Sequence, residues 1–317
     1  MNSSGVIEGK RAVVVVVTYN SAPMLASSID ILKDLAGSET FDLVFIDNAS
    51  TDGTSALLRE IEGSTYELND SNRGFAAAVN QALCGELPHK FFILLNPDAS
   101  IGVFDLERLI DRLKEDPGLA ACTPALVSES GANMGFWARD SNAISMLVDS
   151  LTLGLYTRIG PLRRRFGQLT ARDLKPGAEP GFISGTVFAG RMEAFRQIGS
   201  FDERFFLYYE ETDWCRRATA GGWRLGLVPE VEAVHRMFAS SPSKEAAYEL
   251  HYVSRYIFLR KHYGRWVELV VRVADAASGA VLWSAGLLLR RACTARAPAI
   301  VIAGRVRALS ALRKLSP

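Results

Sequence analysis

The sequence has few cysteines, no apolar run long enough to span a membrane and no glycine-rich phosphate loop, and each absence closes off a class of function. Cys84, Cys122, Cys215 and Cys293 stand far apart without a C-x-x-C pair. Neither a zinc knuckle nor a disulfide framework is encoded, and a reducing compartment fits. The polar start MNSSGVIEGKR leads into an apolar run over residues 12–17, too short for a signal-peptide core. Residues 276–289 are uncharged, but a spanning helix needs about 20 apolar residues. The stretch VVTYNSAPM (16–24) has none of the glycines with which dehydrogenases and nucleotide-sugar pyrophosphorylases cradle phosphate after a first strand. Charge of one sign is also lacking: 36 Lys and Arg face 35 Asp and Glu, so there is no basic footprint for nucleic acid. That balance hides an asymmetry. Residues 255–317 hold 12 of the cations and only Glu268 and Asp275 as acids, a net +10 that leaves the rest of the chain acidic. A basic, apolar C-terminal segment points to an anionic surface such as a membrane.

What is present is ordinary globular composition, 48% hydrophobic and 22% charged over 317 residues. It is enough for one enlarged α/β domain with an appendage, or for two units. The valine run at 12–17 suits a strand buried on both faces. Ser21 and Pro23 then open a helix whose stripe is Leu25, Ile29, Leu32 and Leu35. The pattern recurs with a strand at 43–46 before Asp47-Asn48, and with one at 91–95 before Asn96-Pro97-Asp98. Alternating strand and helix units imply a parallel α/β sheet, with ligands beyond the carboxyl ends of its strands, where Tyr19, Asp47 and Asp98 fall. Weak periodicity over 128–180, with the run Arg163, Arg164 and Arg165, reads as mobile loops and short helices. Residues 182–189 read as a strand containing Gly185, and the chain from 243 onward reads as helical.

Several short motifs follow one another in order: VVTYN (16–20), IDNASTDGT (46–54), NRGFAAAVN (72–80), LLNPDAS (94–100), SGTVFAGR (184–191), FDERFFLYYEETDWCRR (201–217) and His235. On these residues the sequence resembles the family 2 inverting glycosyltransferases of the GT-A fold, especially rhamnosyltransferase-like members, over roughly residues 12–240. The resemblance implies a GT-A domain over residues 1–240, a Rossmann-like, mostly parallel sheet. Residues 241–317 then form a helical, basic, membrane-associating extension. It also implies transfer of a sugar with inversion from a nucleotide diphosphate donor to a hydroxyl of a saccharide acceptor, polyprenyl-diphosphate-linked, in cell-envelope polysaccharide synthesis. Deoxythymidine diphosphate rhamnose leads as donor. A UDP sugar such as galactofuranose is the alternative, and a non-catalytic GT-A binding protein a more remote one.

Within the motifs, Asp47 can accept from a pyrimidine N–H or a ribose hydroxyl and Tyr19 offers a ring to the base, which with Thr18, Asn20 and Asn48 makes a nucleoside pocket. A polar turn capping the next helix is the bland alternative. Gly74 permits a close turn and Arg73 can meet phosphate. Asn96 and Asp98 occupy the place of the family's Asp-x-Asp motif, so Asp98 is expected to hold Mg²⁺ or Mn²⁺ beside the diphosphate, with His235 as a second ligand. An inverting transfer needs one general base, for which Glu210, Glu211 and Asp213 are candidates. Glu211 and Asp213 form the catalytic set, and Glu211 stands where the family has an aspartate. A helix starting at Glu211 would favour its ionised form. The expected location is cytoplasmic, peripheral on the inner membrane face, through a tail surface of Val267, Val270, Val271, Ala274, Val281 and Leu282 with Trp266 and Trp283. Glu268, Arg272 and Asp275 interrupt that surface. A homo-oligomer is compatible with the same helices.

Overall fold

The computed structural model describes residues 10–139, 142–152, 155–174, 178, 180–236 and 244–289. The first half alternates as its patterning dictates: β1 (Ala12–Thr18), α1 (Ala22–Ala36), β2 (Phe41–Asp47), α2 (Thr54–Arg59), β3 (Thr65–Leu68), α3 (Phe75–Leu83), β4 (Phe91–Leu95), β5 (Ala99–Ser100), α4 (Val103–Glu115) and β6 (Leu119–Val127). An arm follows, made of β7 (Trp137–Ala138), α5 (Ala143–Thr152), a helical turn at Leu155–Arg158 and α6 (Gly160–Phe166). The chain then returns through β8 (Phe182–Ile183), β9 (Val187–Arg191), α7 (Met192–Ile198), α8 (Glu210–Ala220) and β10 (Arg224–His235), and closes on α9 (Lys244–Leu289).

Eight strands form one sheet in the order β3-β2-β1-β4-β9-β6-β10-β5. Pairs β1–β2, β1–β4, β2–β3 and β6–β10 are parallel, while β9 runs antiparallel to both its neighbours. The register of β1 on β2 aligns Thr18 with Asp47, so two polar strand ends emerge side by side. Val13, Val14, Val15 and Val16 are all buried, as a strand covered on both faces requires. Ala76, Ala77 and Ala78 are buried as well, and their small side chains let α3 lie close to the sheet.

Two sequence expectations change. Ser21 occupies the N-cap of α1 without bonding into the helix; its hydroxyl is taken up by the backbone of Tyr19, and Asp52 Oδ2 accepts the Ala22 N–H instead, at 3.0 Å. The single strand expected at 182–189 is two strands in different sheets, broken at Ser184-Gly185-Thr186. There, Ser184 Oγ donates to Thr186 Oγ1, and a Cβ on Gly185 would stand 3.4 Å from Glu211 Cγ. The 128–180 region, expected as loops and short helices, does carry short helices in its arm, which is fastened by a two-pronged ion pair of Arg163 with Asp173 (2.7 and 2.9 Å).

Helix α9 consists of two limbs, 244–263 and 265–289, meeting at Gly264, whose φ of 83° is not helical. A second apolar cluster ties both limbs to the rest of the fold through Met146, Phe205, Tyr252, Tyr256, Phe258, Leu259 and Val271. This rearranges the expected tail surface. Val271 and Ala274 are buried and Val267 packs on the cluster, while Trp266, Leu269, Val270 and Val273 form the exposed stripe. Glu268 and Asp275, expected to interrupt that surface, are buried on the inner side. Asp275 accepts from Tyr256 there, 3.9 Å from Arg255. Val281, Leu282 and Trp283 lie outside the residues whose side chains are described. Among the described residues no helix is long and apolar enough to cross a membrane.

Candidate active site

The carboxyl ends of β2, β1 and β4 and the break before β9 carry the first polar cluster. Asp47 is buried and its carboxylate is held on three sides: Thr18 Oγ1 donates to Oδ1 at 2.7 Å, Ser50 Oγ donates to the same oxygen at 2.5 Å, and the Ser50 N–H donates to Oδ2 at 2.9 Å. By that count a lone pair on Oδ2 remains for an incoming N–H or hydroxyl. Asn20 accepts from the Thr51 N–H at 2.8 Å, and Tyr19 stands partly exposed at the rim. Asn48 donates to the Gly74 carbonyl at 3.1 Å and accepts from Asn69 at 3.0 Å. Arg73 is exposed on the same turn and reaches Gln81 at 3.3 Å.

Gly74 joins this cluster to the segment that leads into α8. Its φ is 86°, and a Cβ there would stand 2.6 Å from the Phe206 carbonyl oxygen, which accepts the next N–H, from Phe75, at 2.7 Å. Only glycine meets both conditions. Gly74→Ala is therefore expected to cost about 1–3 kcal/mol in a denaturant titration. Asn80, absent from the predicted site, makes a second tie, bonding both the N–H and the carbonyl of Phe201.

Asp98 and His235 come together as expected. The strand pair β5–β10 aligns Ala99 with His235, which brings His235 Nε2 to 3.3 Å from Asp98 Oδ2, with Asp98 buried. The Arg236 N–H donates to the Asp98 carbonyl at 2.9 Å, fixing the turn. Asn96 bonds the Thr186 carbonyl through its N–H at 3.0 Å, tying the end of β4 to the break beside Glu211. No third His, Cys, Asp or Glu joins the pair among the described residues. One carboxylate and one imidazole fit Mg²⁺ or Mn²⁺ bound jointly with a diphosphate, since such ions take oxygen ligands largely from the phosphates.

At α8 the acids divide into two environments. Tyr208 and Tyr209 enter the helix with φ of 68° and 70°; with Asn20 and Ala49 they are the non-glycine residues of positive φ among those described, and all four lie at this site. Strain of this kind persists where the surroundings over-determine it. Glu210 and Glu211 follow, each with a buried carboxylate oxygen, Oε2, that has no hydrogen-bond partner. Burial pushes the Glu211 carboxyl up to about 7, outweighing the N–H groups of Glu211 and Thr212 that favour its anion. Burial, with the Glu211 charge beside it, holds Glu210 well above the ordinary carboxylate value. The expectation that the helix start keeps Glu211 ionised is thus reversed, because desolvation outweighs the helix terminus here.

Asp213 does not share that environment. It is fully buried and ringed by nitrogen groups: Lys261 at 2.6 Å, His262 at 2.7 Å and Arg217 at 2.8 Å. Burial would raise its pKa, but hydrogen bonds from His262, Lys261 and Arg217 prevail and hold it below the ordinary value. Placed in the catalytic set by sequence, it binds α8 to the first limb of α9.

Glu211 lines a cavity of about 480 Å³ together with Tyr208, Tyr209, His251, Arg255 and Asp149. Sequence reasoning passed over His251 and Arg255. The available signal was their i, i+4 spacing, which puts both on one helix face. Burial and the nearby Arg255 charge lower the His251 pKa to about 4, so this imidazole is neutral at physiological pH.

Comparisons with known proteins place the fold in a family. Residues 13–199 match the family model described as glycosyl transferase family 2. The chain belongs to glycosyl transferase family 2. It is 30% identical over 270 residues to an N-acetylglucosaminyl-diphospho-decaprenol L-rhamnosyltransferase of Mycobacterium tuberculosis, covering 80% of this chain and 85% of the relative. It is 25% identical over 181 residues to the rhamnosyltransferase WbbL of Escherichia coli, covering 57% and 64% of the two chains. Among solved structures, a mannosyltransferase from Pyrobaculum calidifontis in complex with GDP-Man and Mn²⁺ superposes with a TM-score of 0.56 at 18% identity, over 94% of this chain and 87% of that one. The family 2 enzyme thus has the expected α/β fold with a C-terminal helix, and it is a glycosyltransferase.

Proposed function

We propose that this glycosyltransferase moves rhamnose from a deoxythymidine diphosphate donor to a hydroxyl of a lipid-linked saccharide, with inversion, at the inner face of the cell membrane. The observation that carries the catalytic half is Glu211 in the wall of the cavity, its Oε2 buried without a hydrogen-bond partner. Such a group takes the acceptor's hydroxyl proton as that oxygen attacks the anomeric carbon and the diphosphate departs from the opposite face. Thr18, Tyr19, Asn20, Asp47 and Asn48 hold the nucleoside, and Arg73 and Gly74 face the phosphates. Asp98 and His235 would hold Mg²⁺ or Mn²⁺, with Asn96 beside them; the ion, when bound, neutralises charge on the leaving diphosphate. The donor and acceptor classes rest on the rhamnosyltransferase relatives.

A panel of nucleotide sugars with lipid-linked and soluble acceptors, read by mass spectrometry, tests the whole reading. Turnover of a UDP sugar in place of deoxythymidine diphosphate rhamnose would replace the donor, and donor binding without any transfer would remove the enzyme reading. Asp98→Ala is expected to weaken Mn²⁺ and donor binding together, each by at least about tenfold in calorimetric titration. Full activity of the wild type in excess chelator would give Asp98 another role and remove His235 as a ligand.

A further inference from the structure

We propose that the arm made by α5, the turn after it and α6 is a membrane-docking surface that lies on an anionic phospholipid bilayer and sets the catalytic cavity at the lipid surface. The argument starts from exposure. Ile144, Leu151, Leu155, Ile159 and Leu162 are between 37 and 64% exposed, all within one short arm. Single exposed apolar residues are ordinary on a protein surface, but a cluster of this density marks an interaction site.

Charge chooses the occupant. The exposed cations Arg158, Arg164 and Arg165 stand among these residues, and no Asp or Glu occurs from residue 150 to 172. Arg163 alone of the arginine run is neutralised, by Asp173. Large aliphatic side chains interleaved with uncompensated arginines fit the boundary between acyl chains and anionic headgroups. Such a layer takes up the leucines and isoleucines and answers the cations at once.

The inner side of the arm supplies the link to catalysis. Ser145, Met146 and Asp149 of α5, with Tyr156, Phe166 and Gly167 beyond it, line the cavity that Glu211 also lines. One element thus presents apolar and basic groups outward and cavity wall inward. A saccharide whose lipid stays in the bilayer then meets the cavity at the surface where its lipid is held. The docking surface stands on exposure and charge; only the contents of the cavity rest on the function proposed above. It is distinct from the stripe on the second limb of α9, Trp266, Leu269, Val270 and Val273, which a separate variant addresses.

The full chain is sedimented with phosphatidylcholine vesicles, with and without phosphatidylglycerol, at low salt. The wild type is expected to bind the anionic vesicles. Leu155→Asp with Ile159→Asp is expected to lower that binding by about tenfold or more, and Arg158→Glu with Arg164→Glu to lower it on anionic vesicles and flatten its salt dependence. Phe104→Asp, on exposed α4, serves as the control for added charge and leaves binding unchanged. The docking surface is overturned if the Leu155 and Ile159 variant binds like wild type, or if only Trp266→Asp lowers binding. It is also overturned if inorganic pyrophosphate displaces the protein from vesicles, or if the arm variant changes oligomeric mass with vesicle binding intact. Circular dichroism confirms that each variant is folded. Turnover of a short-chain, water-soluble acceptor is expected to survive in the arm variant while turnover of vesicle-embedded acceptor falls. A wild type that binds vesicles but turns over neither acceptor refutes the proposed function and leaves the docking result standing.

Discussion

Glu211→Gln is expected to lower turnover by about 10²- to 10⁴-fold while donor binding stays near that of wild type, because the amide keeps the shape of the carboxylate but cannot accept the acceptor's proton. The same substitution is expected to stabilise the free enzyme at alkaline pH. Burial raises the carboxyl of the folded protein from the ordinary 4.5 to about 7, so the native state loses stability as pH rises between those values. At about 1.4 kcal/mol per pKa unit, glutamine relieves at most about 3 kcal/mol at pH 8 and nothing at pH 4. Melting curves at the two pH values, alongside single-turnover rates, check both halves. The wild-type kcat/KM should fall on the acid side of about 7, where Glu211 takes up its proton. Near wild-type turnover in Glu211→Gln, or an equal loss of donor affinity, would remove Glu211 as the base.

The second large effect falls on stability. Asp213→Ala strips Arg217, Lys261 and His262 of their common partner and leaves an opening at the joint between α8 and α9. Breaking a buried ion network by removing one member typically costs about 3–5 kcal/mol, which urea denaturation at neutral pH would read as a shifted midpoint. Because the folded carboxyl sits below its ordinary pKa, this contribution is present at neutral pH and is lost as the solution is acidified through that lowered value. Activity is expected to fall with the folded fraction. A stable, well-folded Asp213→Asn that retains donor binding and has no turnover would instead move the base from Glu211 to Asp213.

Three strand and helix units, β1–α1, β2–α2 and β4–α4, were legible because apolar strand runs, apolar helix stripes and polar strand ends recur in them. Strand β6 escaped notice although all nine of its residues are buried. Its alanines and Pro124 carry no β-branched pattern, and it becomes a strand through pairing with β10 and β9. Strand β3 escaped for the opposite reason, since its residues are exposed and only the edge of β2 calls it into the sheet. Asp98 with His235 and Thr18 with Asp47 were within reach of the sequence, through motif resemblance and strand-end position. His251 and Arg255 offered only an i, i+4 spacing on one helix face, which does not say what that face packs against.

By itself, then, the sequence determined the alternating α/β order, the polar strand ends and the stretch of acids at α8, all of which are local patterns of side-chain type and spacing. The tertiary structure decided which of those acids is paired and which keeps an unpartnered oxygen beside the cavity. Glu211 and Asp213 lie two residues apart on one helix start and carry the same charge in sequence. They differ because Lys261 and His262 arrive on α9 from roughly 50 positions away to satisfy Asp213, while nothing arrives to satisfy Glu211 Oε2. The same holds for the outer face of α9, where Glu268 and Asp275 turn inward and leave Trp266, Leu269, Val270 and Val273 outside. Whether a charge is paired depends on what packs against it, and in each of these cases the deciding partner or surface comes from packing that no local pattern shows.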